Sequence, residues 1–116
     1  MVAAADPIAG IWQTPKDDNG EYGHVEIGDC GAKICGTVVK GFDSTGKLLP
    51  NAPLTGRKII WDMENDGGGK YSGGKIYSPE RAKTYNGQLH LSGSSLNVKG
   101  CMLGFCQSGG TWSRVR

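Results

Sequence analysis

The sequence predicts an all-β domain of short antiparallel strands, a barrel or a sandwich. Three observations carry that prediction. Twenty Gly and five Pro among 116 residues turn the chain every few positions. Apolar residues alternate with polar ones at period two instead of recurring at helical spacing. Four cysteines fall as two copies of C-x4-C, Cys30 with Cys35 and Cys101 with Cys106, in strand-like surroundings. The longest stretch free of Gly and Pro, residues 57–66, sets Ile59, Ile60 and Trp61 side by side and not on one helical face.

Strands are expected around residues 10–13, 22–29, 33–40, 57–62, 73–77, 83–91, 95–101 and 110–115. In the second, Val25 and Ile27 share a face and His24 and Glu26 take the other. In the third, Ile34 leads into Thr37, Val38 and Val39. Leu89 and Leu91 alternate with Gln88, His90 and Ser92, and Leu96 and Val98 alternate with Ser95, Asn97 and Lys99. Gly93-Ser94 between these two runs is a hairpin turn. Ser78-Pro79-Glu80-Arg81 has the cap and first-turn Pro of a single helical turn. The links are hairpin-sized except 41–56, and no crossover helix is available for a parallel sheet. The length suits one domain.

No apolar run approaches the roughly 20 residues that cross a bilayer as a helix. A net charge of +2, scattered along the chain, excludes a nucleic-acid groove. Ala3-x-Ala5 followed by Asp6-Pro7 has the small-x-small pattern of a signal cleavage site. Residues 1–5 are therefore read as a leader remnant or an added tail, and 6–116 as the domain. An even cysteine count in a small exported domain reads as two disulfides, with three connectivities open. Spacing favours the local one. A two-residue turn at Ala32-Lys33 sets Cys30 opposite Cys35, and one at Leu103-Gly104 sets Cys101 opposite Cys106. The expected location is periplasmic or secreted.

Acid–base catalysis needs paired carboxylates or an activated His at one site, and the only histidines are His24 and His90. Neither Gly-x-Ser-x-Gly nor His-Glu-x-x-His occurs, so no enzyme, catalytic residue or cofactor is expected. Asp62-x-Glu64-x-Asp66-Gly67 has the alternating oxygens of a calcium loop, but its twelfth position is Gly73 where a carboxylate is required. It is read as a solvated hairpin tip, and no metal is expected. Trp61, Tyr71, Tyr77 and Tyr85 fall in the middle third, where such rings either line a cavity or fill a core.

Gly10-Ile11-Trp12 opens the first expected strand and Trp112-Ser113-Arg114 closes the last. This pair resembles the calycin superfamily, the lipocalins and their relatives. The resemblance implies that Trp12 lays its indole across one end of a barrel and that Arg114 stacks on it, closing the base. The wider series runs Gly10-x-Trp12, Cys30-Gly31-x-x-x-Cys35-Gly36, Gly73-Gly74-Lys75-Ile76-Tyr77-Ser78-Pro79 and Lys83-Thr84-Tyr85. Leu96-Asn97-Val98-Lys99-Gly100-Cys101 and Thr111-Trp112-Ser113-Arg114-Val115 complete it. Together they are similar to the bacterial family called domain of unknown function 2147, over nearly the whole chain after residue 5. What this implies is a small antiparallel eight-stranded lipocalin-like barrel, stapled by disulfides and exported from Gram-negative bacteria.

Two functions follow as expectations. The first is a non-enzymatic barrel that binds a small apolar or amphipathic ligand, with Trp61, Tyr77, Tyr85 and His90 facing the cavity. The second is a protein-interaction module, an inhibitor or envelope accessory, that reads its partner through the 41–56 loop. Phe42, Leu48, Leu49 and Leu54 sit on that Pro-containing connection, and exposed apolar residues on a loop need a reason. The same loop folded over one barrel mouth as a lid serves the first function instead.

Overall fold

Alternation and dense turns resolve into ten antiparallel strands in the computed structural model, which describes residues 6–116. They are β1 (Gly10–Gln13), β2 (Tyr22–Cys30), β3 (Lys33–Phe42), β4 (Leu48–Leu49), β5 (Lys58–Gly67), β6 (Lys70–Ser72), β7 (Lys75–Ser78), β8 (Lys83–Ser92), β9 (Ser95–Met102) and β10 (Phe105–Arg114). Pairing runs β3-β2-β1-β10-β9-β8, continues through β6 and β7 to β5, and closes from β5 back onto β3. β6 and β7 are two halves of one wall, so the ring has eight walls and no open edge; β4 hangs outside it on β3. Residues 1–5, read above as a leader remnant or tail, lie outside the described residues.

One end of the barrel, the base, gathers the β2–β3, β5–β6 and β8–β9 hairpins with the start of β1 and the end of β10. The other end, the mouth, gathers the β1–β2 link, the connection from β3 to β5, the turn before β8 and the β9–β10 hairpin. The base is sealed by the chain itself. Trp12 is fully buried and donates Nε1–H to the Ile8 carbonyl at 2.9 Å. The Arg114 guanidinium stands 4.4 Å from the indole ring centre and donates to the carbonyls of Ala9 and Pro7. The Asp6 carboxylate accepts from the Tyr71 hydroxyl, from Asn65 Nδ2 at 2.9 Å and from the Ile8 amide at 2.9 Å.

The interior is filled. Inner-face residues such as Val25, Ile27, Ile60, Met63, Tyr71 and Leu96 are almost wholly shielded from water. Inner-face side chains of the adjoining walls crowd β8 so closely that a Cβ on Gly87 would lie 2.7 Å from Ile76 Cγ1 and 3.1 Å from Met63 Sδ. Each large side chain removed from water here stabilises the fold by roughly 1.5–3 kcal/mol.

Five local expectations are corrected. The β2–β3 turn is Gly31-Ala32, not Ala32-Lys33, because Gly31 takes the left-handed φ of 66° that the tight turn requires. Cys30 then faces Lys33 and reaches Cys35 diagonally, with Cα atoms 5.8 Å apart; Cys101 and Cys106 pair directly at 4.0 Å. Both disulfides are the local ones. The acidic run is no hairpin tip, since β5 continues to Gly67 past a bulge at Asp62, whose φ is 58°. Glu64 there pairs with Lys33 across to β3. Residues 79–82 make a turn instead of a helical turn, with Ala82 at φ 51°. The last strand starts at Phe105, five residues before the expected 110, because the disulfide-bridged hairpin extends β9 and β10 together. The 41–56 connection is likewise not devoid of strand: its first residues complete β3, and β4 folds back on them with Leu49 opposite Gly41.

Candidate functional site

The mouth is covered on one side only. Over β3, the β3–β5 connection lays Ala52 against Gly41, where an added Cβ would come within 2.8 Å of the Ala52 methyl. Leu54 on the same connection packs against the core. Across the mouth, between the turn before β8 and the β9–β10 hairpin, a cleft of about 300 Å³ stays open.

Its floor is Tyr85, which shares the inner face of β8 with Gly87 and Leu89 and lies opposite Ile76. The ring rests on β9 where Gly100 leaves room, since a Cβ at Gly100 would fall 2.9 Å from Tyr85 Cγ. Register places Met102 opposite Phe105 and Gly100 opposite Gln107, so these inner-face positions form the far wall. Lys83 stands at the rim, and Arg81 on the adjoining turn donates to Gln107 Oε1. The lining is thus a phenol floor, an apolar wall, one amide and flanking cations. Such a set can hold a molecule through apolar contact, hydrogen bonds and attraction for negative charge.

The wall is unusual in being bare. Leu103 is 91% exposed and Phe105 78%, and Met102 is also exposed at 38%. They belong to Met102-Leu103-Gly104-Phe105, the run that projects beyond the Cys101–Cys106 bridge. Leu103-Gly104 is the turn that the spacing predicts, and strand alternation does not mark its residues as a site. Its signal was available: a turn with no polar side chain contradicts ordinary turn chemistry.

The residues expected to face a cavity divide. Tyr85 lies on the inner face at the mouth. Trp61 is half-buried opposite Lys75, on the outer face of β5, because its neighbour Ile60 takes the inner position opposite Ile76. His90 is exposed on the outer face of β8, between Lys70 and Asn97. Neither Trp61 nor His90 joins the cleft. Tyr77 is half-buried under Arg57, whose guanidinium lies 3.8 Å from the ring centre. Of the loop residues, Leu48 is exposed, Leu49 and Leu54 are half-buried, and Phe42 turns to the outer face. Phe42 stacks there on Tyr22 at 5.0 Å and meets His24 at 4.6 Å. His24 also bonds to Gln13 Oε1 at 3.2 Å; burial, then the positive charges of Lys40 and Arg116, hold its imidazole below the usual histidine range.

A wider hollow of about 590 Å³ lies outside the barrel, across β1, β2 and β3, with Ile11, Glu26, Cys35, Thr37 and Arg116 on its surface.

One antiparallel sheet closed into eight walls, with a Trp–Arg plug at the base and the long connections at the mouth, defines a lipocalin-type barrel. Among solved structures, protein HP1028 from the human pathogen Helicobacter pylori, described as belonging to the lipocalin family, is similar at a TM-score of 0.70. The match has 23% sequence identity and covers 94% of this chain and 83% of that one. No curated protein sequence matches the chain. Residues 10–114 match the family described as uncharacterized protein conserved in bacteria (DUF2147), and the chain belongs to that family.

Proposed function

We propose that this protein is a non-enzymatic exported barrel that binds a small amphipathic ligand with a negatively charged end. The binding place is the mouth cleft, not a deep interior cavity. One observation carries this reading: the interior is occupied by its own side chains, while the uncovered apolar side chains of Met102, Leu103 and Phe105 gather at the mouth beside Lys83 and Arg81. The apolar part of the ligand lies on Tyr85, Met102 and Phe105, and its anionic end meets Lys83. Lipocalin-type architecture supports small-ligand binding as a class, and two disulfides in a bacterial family support a periplasmic or secreted location.

Native mass spectrometry on protein exported to a bacterial periplasm and purified without detergent tests the reading. A reproducible extra mass that dissociates on denaturation is expected, and it should weaken in Tyr85→Ala and Lys83→Glu. A bare polypeptide that also fails to take up added anionic amphiphiles would sink it. The interaction-module reading rests on Leu48, the one member of the Phe42, Leu48, Leu49 and Leu54 group that is well exposed. Leu48→Asp with Leu49→Asp should leave ligand uptake unchanged, whereas loss of an envelope partner on those substitutions would favour the module.

A further inference from the structure

We propose that the β9–β10 hairpin is a membrane-docking finger that seats the β8–β10 side of the barrel mouth on an anionic lipid surface. The proposal goes beyond ligand binding and does not require the cleft to be occupied. Its first support is the tip itself. Leu103 and Phe105, at 91% and 78% exposure, are the two most solvent-exposed large apolar side chains among the described residues. Leu48 and Val115 are other exposed apolar residues, but neither shares a projecting hairpin with more of its kind.

The second support is the turn. Leu103 occupies a left-handed backbone position, φ 54°, followed by Gly104 at φ 84°. A two-residue turn of this kind favours Asn or Asp before the Gly, and both are polar. An exposed leucine there is unfavourable twice over, in backbone conformation and in hydration. Insertion into the headgroup–acyl boundary removes the second of these penalties.

The third support is charge. All eleven Asp and Glu residues of the chain lie at or before Glu80. Residues 81–116 carry Arg81, Lys83, Lys99, Arg114 and Arg116 and no acidic residue. These residues build β8, β9 and β10, so the hairpin rises from strands that carry cations and no carboxylate, the nearest acid in sequence being Glu80 on the turn before β8. Arg81 and Lys83 stand beside the tip, at the level where lipid phosphates would meet an inserted finger. The Cys101–Cys106 bridge across the hairpin holds the finger in one shape, which limits the entropy lost on docking. A second copy of this chain is a poorer occupant, because two such sectors would oppose cation to cation.

Flotation of the disulfide-intact protein with two kinds of vesicle tests the proposal, one of phosphatidylcholine alone and one of phosphatidylcholine mixed with phosphatidylglycerol. The protein should float with the mixed vesicles, less with the neutral ones, and should be released as salt is raised. Leu103→Asn should lower the partition coefficient by about tenfold while leaving the melting temperature unchanged or higher. Arg81→Glu with Lys83→Glu should abolish the preference for anionic vesicles. No flotation, or flotation unaltered by both sets of substitutions, overturns the proposal. So does a dimer in solution that Leu103→Asn dissociates, since the tip would then be covered by a second copy. Uptake of a soluble amphiphile, measured on the same samples, separates this proposal from the ligand reading: retained uptake without vesicle binding removes docking alone.

Discussion

Leu103 concentrates the conflict between folding and use at a single residue. A left-handed conformation costs an L-residue other than Gly, Asn or Asp about 1–2 kcal/mol, and this side chain recovers none of it through packing. Leu103→Asn should therefore stabilise the protein by about 1 kcal/mol in urea unfolding. A variant that is less stable than the parent would mean that the tip packs against something in solution. Asp6 sets a second single-residue prediction. Burial would raise its pKa, but hydrogen bonds from Tyr71, the Ile8 amide and Asn65 outweigh that and hold it below its ordinary 3.8. The folded state thus prefers the ionised carboxylate. Its contribution is present above pH 3.8 and is lost as pH falls through the lower folded value. Asp6→Asn should flatten that part of the acid limb, measured as unfolding free energy between pH 5 and about 2. An unchanged acid limb would show that Asp6 is not the group responsible. Tyr71 is pushed the other way, above the ordinary phenol range, by burial and by the Asp6 carboxylate. It therefore remains a donor at every pH where the Asp6 charge is useful.

At the scale of elements, the hairpins differ in what holds them. The β9–β10 tip has no core beneath it, so the Cys101–Cys106 bridge replaces packing as its constraint. Replacing both cysteines with Ser should cost about 2 kcal/mol on the chain-entropy model, with amide exchange rising first at Met102 and Gln107. Uniform exchange across the barrel would place the effect in the unfolded state alone. The strands were legible because alternation survives wherever one face is buried, as at Val25/Ile27, Leu89/Leu91 and Leu96/Val98. Alternation fails at bulges, and β5 has irregular pairing on both sides of Ile60. That is why Trp61 and the acidic run could not be assigned a face or an end point from sequence. The β2–β3 turn lies one residue earlier than the cysteine spacing predicts, because the positive φ it needs falls on Gly31. The candidate site was half legible: Tyr85 follows from period two, whereas the finger depends on a projection beyond the barrel that no periodicity encodes.

For the whole molecule, the question is where a barrel with no free interior can accept a ligand. Lipocalin-type closure fixes eight walls, but the volume inside depends on how the inner side chains fill it, and the missing side chain of Gly87 is replaced by Ile76 and Met63 from the adjoining walls. Met63 is fully shielded and packs against Gly87, the next inner-face position after Tyr85 on β8, so its removal would open space in the interior below the cleft. Met63→Ala should destabilise the protein by about 2–5 kcal/mol, because the surrounding walls relax only partly around the cavity left behind. Its effect on binding then discriminates between two sites. If ligand enters the interior, the enlarged space should raise affinity for bulky apolar probes and the bound probe should restore part of the lost stability. If ligand lies on the outer side of Tyr85, affinity should match the parent while stability alone falls. Titration of one fluorescent anionic amphiphile into both proteins, at a temperature where the variant is still folded, separates these outcomes. The mouth-cleft reading requires the second: a weaker barrel with an unchanged dissociation constant. A tighter complex in Met63→Ala would move the binding place inward and leave the finger to act on lipid alone.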